Sequence, residues 1–263
     1  MPKVSVIMGI YNCAGFMGPS IESIINQTFT DWEFIMCDDG SSDNTYEVAC
    51  EYAKKDPRIK VIKNERNMRL AYTLNHCLEV AEGEYIARMD ADDISLPERF
   101  EKQVAYLDSH PEMAVVASSV IVFDEDGDKF IRNIGGDYPL HKKINLSVPF
   151  AHPTIMMRKS AYTKLGGYTV SAETMRAEDL DLWYRFRLAG FDGYTIGEPL
   201  LRYHESLNDM KKRSIKAALG ITKINLRYYK ALKLPLYLYP IACKPLLTAT
   251  LPNSFMSRYH SKK

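Results

Sequence analysis

Read for its apolar and polar positions, the chain begins with a strand. Residues 4–8 (VSVIM) form an unbroken, β-branched apolar run that Gly9, Asn12 and Gly15 bring to a close. Ile21, Ile24 and Ile25 then recur at helical spacing, with Ser20 placed to cap that helix. Residues 33–37 (EFIMC) predict a second strand, which stops on Asp38-Asp39-Gly40. A helix from about Asn44 carries Val48, Ala49 and Tyr52 on one face, and residues 59–62 (IKVI) make a third strand. Leu70, Leu74, Cys77, Leu78 and Ala81 share one helical stripe that Gly83 is expected to end. Residues 85–89 predict a fourth strand, and it runs straight into Asp90, Asp92 and Asp93. Strands alternating with helices in this way predict an α/β fold with a mostly parallel central sheet flanked by helices. Ligands of such sheets bind beyond the carboxyl ends of the strands. Asp39 and the Asp90 cluster both end strands, so both should face one crevice.

The second half is less regular. Residues 97–109 predict a helix with Phe100, Val104 and Leu107 facing inward, and residues 114–123 a strand that turns at Asp126-Gly127. Residues 146–157 carry Pro149 and Pro153 with His152 between them, and Gly166-Gly167-Tyr168 marks a tight turn. Residues 178–189 predict a helix with Leu182, Phe186 and Ala189 inward. Residues 215–232 then read as an amphipathic basic helix. The apolar stretch 234–252 is broken by Pro235, Pro240, Lys244, Pro245 and Pro252.

Charge divides the chain where periodicity does not. The net +1 over 263 residues hides twelve Lys or Arg and no acid from Lys211 onward, against 22 basic and 33 acidic residues before it. The expected organisation is a body at 1–205, with a donor-binding half (1–95) and an acceptor-binding half (96–205), and a basic helical extension at 206–263. The extension either lies on an anionic membrane surface or packs on the acidic body. Five cysteines without a C-x-x-C pair argue against a disulfide framework and for a reducing, cytoplasmic setting, on or near the inner face of a membrane. The start, MPKVSVIMGI, lacks the apolar run and cleavage site of a signal peptide, and no uncharged apolar stretch reaches 18 residues. No nucleic-acid partner is expected.

The acids carry the candidate chemistry. Carboxylates on one tight turn suit a hard divalent cation that keeps several waters and grips phosphates, although Asp92 or Asp93 would equally serve as a helix cap. Asp39 is either the cap of the helix after GSSDNT or the acceptor for a ring N–H of a base. Two such turns in one sheet favour the functional alternatives.

VSVIMGIYN, CDDGSSD, GEYIARMDADD, GGY and AEDLDLW, in this order and spacing, resemble the inverting family 2 glycosyltransferases of GT-A fold over about residues 3–205. The resemblance implies transfer of a sugar from a nucleoside-diphosphate donor, a UDP-sugar first of all, to a saccharide or lipid-linked acceptor. It implies that Gly9 and Tyr11 line the base pocket and that Asp39 contacts the base. Asp90 and Asp92 would form the D-x-D motif, with Asp92 foremost as ligand of Mn²⁺ or Mg²⁺, and Asp179, beside Glu178, would be the general base. The alternative for Asp179 is a surface acid paired with Arg185 or Arg187. His204 would complete the metal shell or be structural, and His152 would face the acceptor or only brace its loop. Two departures stand out: Gly9-Ile10-Tyr11-Asn12 replaces Pro-Thr-Tyr-Asn, and Arg69 precedes Leu70 where the family often has Gly. Arg69 would reach a phosphate or be a plain surface charge. The Q-x-x-R-W pattern of processive synthases is absent, so one sugar per event is expected, in cell-surface polysaccharide or glycolipid assembly. The competing readings are a sugar nucleotidyltransferase and a non-catalytic, donor-binding partner of a membrane assembly.

Overall fold

The computed structural model describes residues 1–133, 136–138, 149–205 and 215–250. Residues 146–148 of the expected proline-rich stretch and 206–214 and 251–263 of the basic extension fall outside them.

The first half builds as its pattern dictates. Strands β1 (Val4–Ile10), β2 (Trp32–Asp38), β3 (Ile59–Lys63) and β4 (Tyr85–Arg88) pair in parallel. Helices α1 (Gly18–Ile25), α2 (Thr45–Lys55) and α3 (Leu70–Val80) make the crossovers. Every residue of β2 and β4 is buried, as strands covered on both faces require. The spatial order is β3-β2-β1-β4, and the sheet then continues through β9 (Met156–Arg158), β6 (Met113–Asp124), β10 (Asp192–His204) and β5 (Ile94–Ser95). β9 runs antiparallel to both β4 and β6, whereas β6 and β10 are parallel over most of their length. Two further strands, β7 (Gly127–Arg132) and β8 (Gly136–Tyr138), add antiparallel partners at β6 and β10. The first half of the sheet is parallel as expected; the second half makes the whole mixed.

Two expectations about helix ends are corrected. Ser20 does not cap α1: the helix begins at Gly18 with Pro19 in its first turn, and Ser20 is buried within it, its hydroxyl donating to the Asp90 carbonyl at 2.9 Å. Gly83 does not stop α3, which ends with Ala81 already extended. A Cβ at Gly83 would stand 2.5 Å from the Ser5 amide nitrogen, so glycine is needed there for β4 to lie against β1. Gly166 and Gly167 do adopt the expected left-handed turn, at φ 72° and 70°, after α5 (Lys159–Leu165). Helices α4 (Arg99–Ser109) and α6 (Glu178–Leu188) cover opposite faces, burying Phe100 and Leu107 on one and Leu182 and Phe186 on the other.

The basic extension is not detached from the body. Helix α7 (Ile215–Ala231) shares a core with α6, formed by Ala177, Tyr184, Ile224, Tyr228, Tyr229 and Ala242. Two short helices, α8 (Tyr239–Ala242) and α9 (Lys244–Thr250), fold back on α7.

Candidate active site

Two cavities open at the carboxyl end of the sheet. The smaller, about 230 Å³, lies where β1 and β2 end and α3 begins, and Gly9, Tyr11, Asp39, Asn67, Arg69 and Thr73 line it. Gly9 is required by closeness: a Cβ would meet Leu70 Cδ1 at 3.1 Å and Thr73 Cγ2 at 3.2 Å. Tyr11 stands half in solvent at the mouth. Asp39 is buried and is not the cap of α2, whose preceding turn is held instead by Asp43, accepting from the Thr45 amide at 3.1 Å. The Asp39 carboxylate accepts from Asn64 Nδ2 (2.9 Å) and the Met68 amide (2.7 Å) on one oxygen, and from the Arg69 amide (2.9 Å) on the other. A carboxylate so supplied still has lone pairs to spare.

These bonds hold Arg69 at φ 77° and ψ 159°, a region in which side chains are strained and glycine is not. The departure from glycine noted in the sequence thus has a measurable backbone consequence.

The larger cavity, about 460 Å³, lies beyond β4, beneath the start of α6. It gathers Asp90, His152, Glu178 and Asp179 from segments far apart in sequence, together with Arg88, Arg132, Arg176 and Tyr203, which sequence reasoning passed over. Arg88 is the centre of its electrostatics. Its buried guanidinium pairs with Asp90 at 2.9 Å and acts on Glu178 and Asp179, while its Nε has no partner. Arg99 lies buried close by, donating to the Arg88 carbonyl at 2.8 Å, with Asp93 supporting its charge. The acidic turn therefore sits above two buried cations supplied by the chain itself. The signal was present: Arg88 is the one charge inside the strand YIARM.

Asp179 and Glu178 open α6, half-buried at its N-terminus. Desolvation raises the Asp179 carboxyl above its ordinary range, opposed by a 2.7 Å bond from the Leu180 amide and by Arg88. Desolvation raises Glu178 too, and the neighbouring Asp179 adds to it. Asp179 is paired in the structure with neither Arg185 nor Arg187: Arg185 goes to Asp181 at 2.8 Å. His152 is buried, and desolvation holds its imidazole neutral. Its Nε2 lies 3.1 Å from the Tyr168 hydroxyl and its Nδ1 has no partner in the protein. Trp183 meets His152 edge-on at 5.5 Å and is buried in the core behind the cavity, which it does not line.

Asp92 and His204 stand together at the rim, Oδ2 to Nδ1 at 3.7 Å. Asp93 is wholly buried, one oxygen accepting from the His204 amide at 2.9 Å, the other without a partner. Burial, and then Asp90, push its carboxyl well up. It ties the acidic turn to β10 rather than capping a helix. Among the described residues, no three His, Cys, Asp or Glu side chains converge closely enough to hold a metal ion unaided.

With this geometry in view, comparison with known proteins is informative. Residues 5–166 match the family model described as Glycosyl transferase family 2. The chain is 46% identical over 263 residues to EpsE of Bacillus subtilis, named as a glycosyltransferase, covering 100% of this chain and 94% of that one. It is 36% identical over 192 residues to the O-antigen biosynthesis glycosyltransferase WbnJ of Escherichia coli, covering 70% and 72%. TarS of S. aureus, solved with UDP, superposes with a TM-score of 0.66 at 20% identity, covering 94% of this chain and 81% of that one. The mannosyltransferase PcManGT of Pyrobaculum calidifontis, solved with GDP-Man and Mn²⁺, gives 0.64 at 19%, covering 99% and 80%. These two likenesses are of fold alone. The family match ends before α6, so Glu178, Asp179 and α7 all lie beyond it.

Proposed function

The chain belongs to glycosyl transferase family 2 and is a glycosyltransferase, and on that premise we propose that it transfers a sugar from a nucleoside-diphosphate donor to an acceptor hydroxyl with inversion. The observation that carries this reading is the pair of cavities at one sheet edge. One has an amide-supported carboxylate (Asp39) suited to a base, and the other a desolvated carboxylate (Asp179) suited to taking a proton. Inversion needs a base on the attacking side, in line with the departing diphosphate. In this reading Gly9 and Tyr11 hold the base, Asp39 accepts its ring N–H, and Arg69 reaches toward a phosphate. Asp90 lines the larger cavity, Asp179 takes the acceptor proton, and Glu178 and the neutral His152 orient the acceptor.

Asp92 and His204, with Asp90 on the same turn, would supply part of the shell of Mn²⁺ or Mg²⁺, since no three such side chains converge among the described residues. Carboxylate oxygens with one imidazole are acceptable donors for such ions, which take their remaining ligands from water and phosphate. That two donors, Asp92 and His204, already meet at the rim supports the assignment, as does the Mn²⁺ complex of PcManGT. The ion would supply charge stabilisation to the leaving diphosphate. The donors solved with the two structural relatives leave uridine and guanosine diphosphates as the first to try, UDP-sugars ahead. The name of WbnJ, an O-antigen biosynthesis glycosyltransferase, suggests polysaccharide assembly as the setting, and the missing Q-x-x-R-W pattern suggests one residue per event. A thermal-shift screen tests all this together. UDP-GlcNAc or another UDP-sugar with Mn²⁺ should raise the melting temperature, ligand at a hundredfold over its Kd adding about 2.7 kcal/mol. Failure of every nucleotide-sugar to shift the protein, with or without metal, would refute the reading.

The extension also fits a membrane surface. Leu236, Tyr237 and Leu247 are 81%, 75% and 66% exposed, next to the exposed Lys233 and Lys244. No helix among the described residues is long and apolar enough to cross a bilayer. Apolar side chains ringed by lysine suit the interface of an anionic leaflet, at the inner face of the membrane that would carry a lipid-linked acceptor. The double variant L236S/Y237S should float less with phosphatidylglycerol vesicles while keeping its fold. Undiminished flotation would remove the membrane from the picture.

A further inference from the structure

Below the proposed base, one buried carboxylate gathers bonds from three separate segments. Asp181 is fully buried on the first turn of α6, two residues from Asp179. One of its oxygens accepts from the Thr169 hydroxyl (2.6 Å) and Arg185 Nε (2.8 Å), and the other from the Tyr228 hydroxyl (2.8 Å) and Arg227 Nη2 (3.2 Å). Thr169 belongs to the segment that leads into α6, Arg185 to α6 itself, and Arg227 and Tyr228 to α7. The junction has further contacts. Tyr184 stacks on Tyr228 at 4.7 Å and donates to Asn225 Oδ1 at 2.8 Å. Arg227 Nη1 also reaches Glu173 at 3.3 Å. A Cβ at Gly220 would stand 2.9 Å from the Glu173 carbonyl oxygen, so α7 presses directly on the backbone leading to the base.

An anchor for an amphipathic tail would need only the apolar seam. Charged and hydroxyl groups aimed at a single buried acid do something else: they fix an orientation, because each bond has a direction that packing lacks. A carboxylate buried without these partners would be costly, so α6 and α7 are held to one arrangement. Arg176, at φ 63°, and Glu178 and Asp179 come in the turn between Glu173 and Asp181, and both ends of that turn are held by α7.

We infer that α7 is a working part of the active site, with Asp181 as a positioning residue through which Tyr228 and Arg227 aim the Asp179 carboxylate into the acceptor cavity. The inference rests on Asp179 being the base. It assigns the C-terminal helix a role in the rate of transfer, separate from any attachment to a surface. A displacement of about 1 Å at a catalytic group can cost about a hundredfold in rate, so loosening this junction should act on turnover and not on donor binding.

The test uses the full chain with Tyr228→Phe, Arg227→Gln, the double variant and Asp179→Asn. Tyr228→Phe removes a single oxygen and leaves the stacked ring, so the fold is kept. Release of nucleoside diphosphate from UDP-GlcNAc and GDP-mannose, binding of UDP, and amide hydrogen exchange of residues 177–183 are measured. The double variant is expected to lose about tenfold or more in kcat. Its KM for donor should stay within about twofold and its pH profile should be altered on the acid side, with faster exchange in the first turn of α6 and none in β4. Wild-type kcat in the double variant beside a dead Asp179→Asn would overturn the role of α7 alone. Wild-type kcat in Asp179→Asn would overturn the base assignment and this inference with it. Equal losses in kcat and UDP affinity would mean general loosening, and unchanged exchange would mean that the junction holds nothing; either result defeats the inference.

Discussion

The two cavities treat their carboxylates in opposite ways. Asp39 is given two backbone amides and an asparagine amide, and the cost is shifted to the backbone, where Arg69 takes a glycine-like conformation. Asp179 is given one amide and a desolvated place, and the cost remains on its own charge. A group that must hold a ligand in one state is best fully supplied with partners. A group that must change its protonation during the reaction is best left short of them. On the proposed roles, the contrast separates recognition from chemistry at one end of the sheet.

The largest expected effect breaks the chemical side. Asp179→Asn should lower turnover by about 10²- to 10⁴-fold while donor KM scarcely moves. It should also stabilise the protein. Burial raises the folded-state pKa of Asp179 above its unfolded value, so between the two the native state binds more protons and stability falls as pH rises through that window. At neutral pH the ionised residue therefore costs stability, and the amide removes that cost. Asp181 runs the other way: although burial opposes it, its bonds hold its pKa down, and the stability it contributes is lost as pH falls through the lowered value. A melting temperature for Asp179→Asn below that of the native protein at pH 7 would contradict this account. The same raised pKa sets the acid limb of kcat above the ordinary carboxylate range, and the limb should vanish with the side chain.

The recognition side should respond more gently. Asp39→Asn removes a charge-assisted bond to the base and should weaken UDP binding by about ten- to a hundredfold, read by calorimetry, with kcat at saturating donor little changed. A collapse of kcat at saturation would mean that the division between the two cavities is false. The smallest effect is at Arg69. Arg69→Gly relieves the backbone and should add about 1 kcal/mol to stability in urea unfolding. If UDP binding falls at the same time, the arginine side chain reaches the diphosphate; if binding holds, the strain has another origin.

The sequence made the donor half legible because each of its signals is local. An apolar run, a turn residue and an acid at a strand end suffice to place Asp39 and Asp90 at strand ends, but in place of the one crevice expected for them there are two cavities, Asp39 lining the smaller and Asp90 the larger. The acceptor half depends on pairings that no local pattern reports: β9 entering between β4 and β6, or β10 reaching back to Ser95. Arg88 was hidden by the strand pattern that surrounds it, since one charge in an apolar run reads as an interruption rather than as the counter-ion of the next turn. The composition of the extension left two alternatives open, a membrane surface or packing on the acidic body. Its first helix packs, and the acids that meet it, Asp181 and Glu173, are supplied by the body. Net charge per segment says what a segment lacks, and packing decides where it finds it.

The unbroken sheet also restricts how the molecule can move. Backbone hydrogen bonds cross from the first half (1–95) to the second (96–205) at β4–β9 and again at β5–β10. Hinge closure, common where a ligand sits between two separately folded lobes, would have to sever them. Substrate capture in this enzyme is therefore an affair of side chains and connecting segments on a fixed platform, and the interval between donor entry and product exit is governed by local rearrangement rather than by the swing of one half against the other.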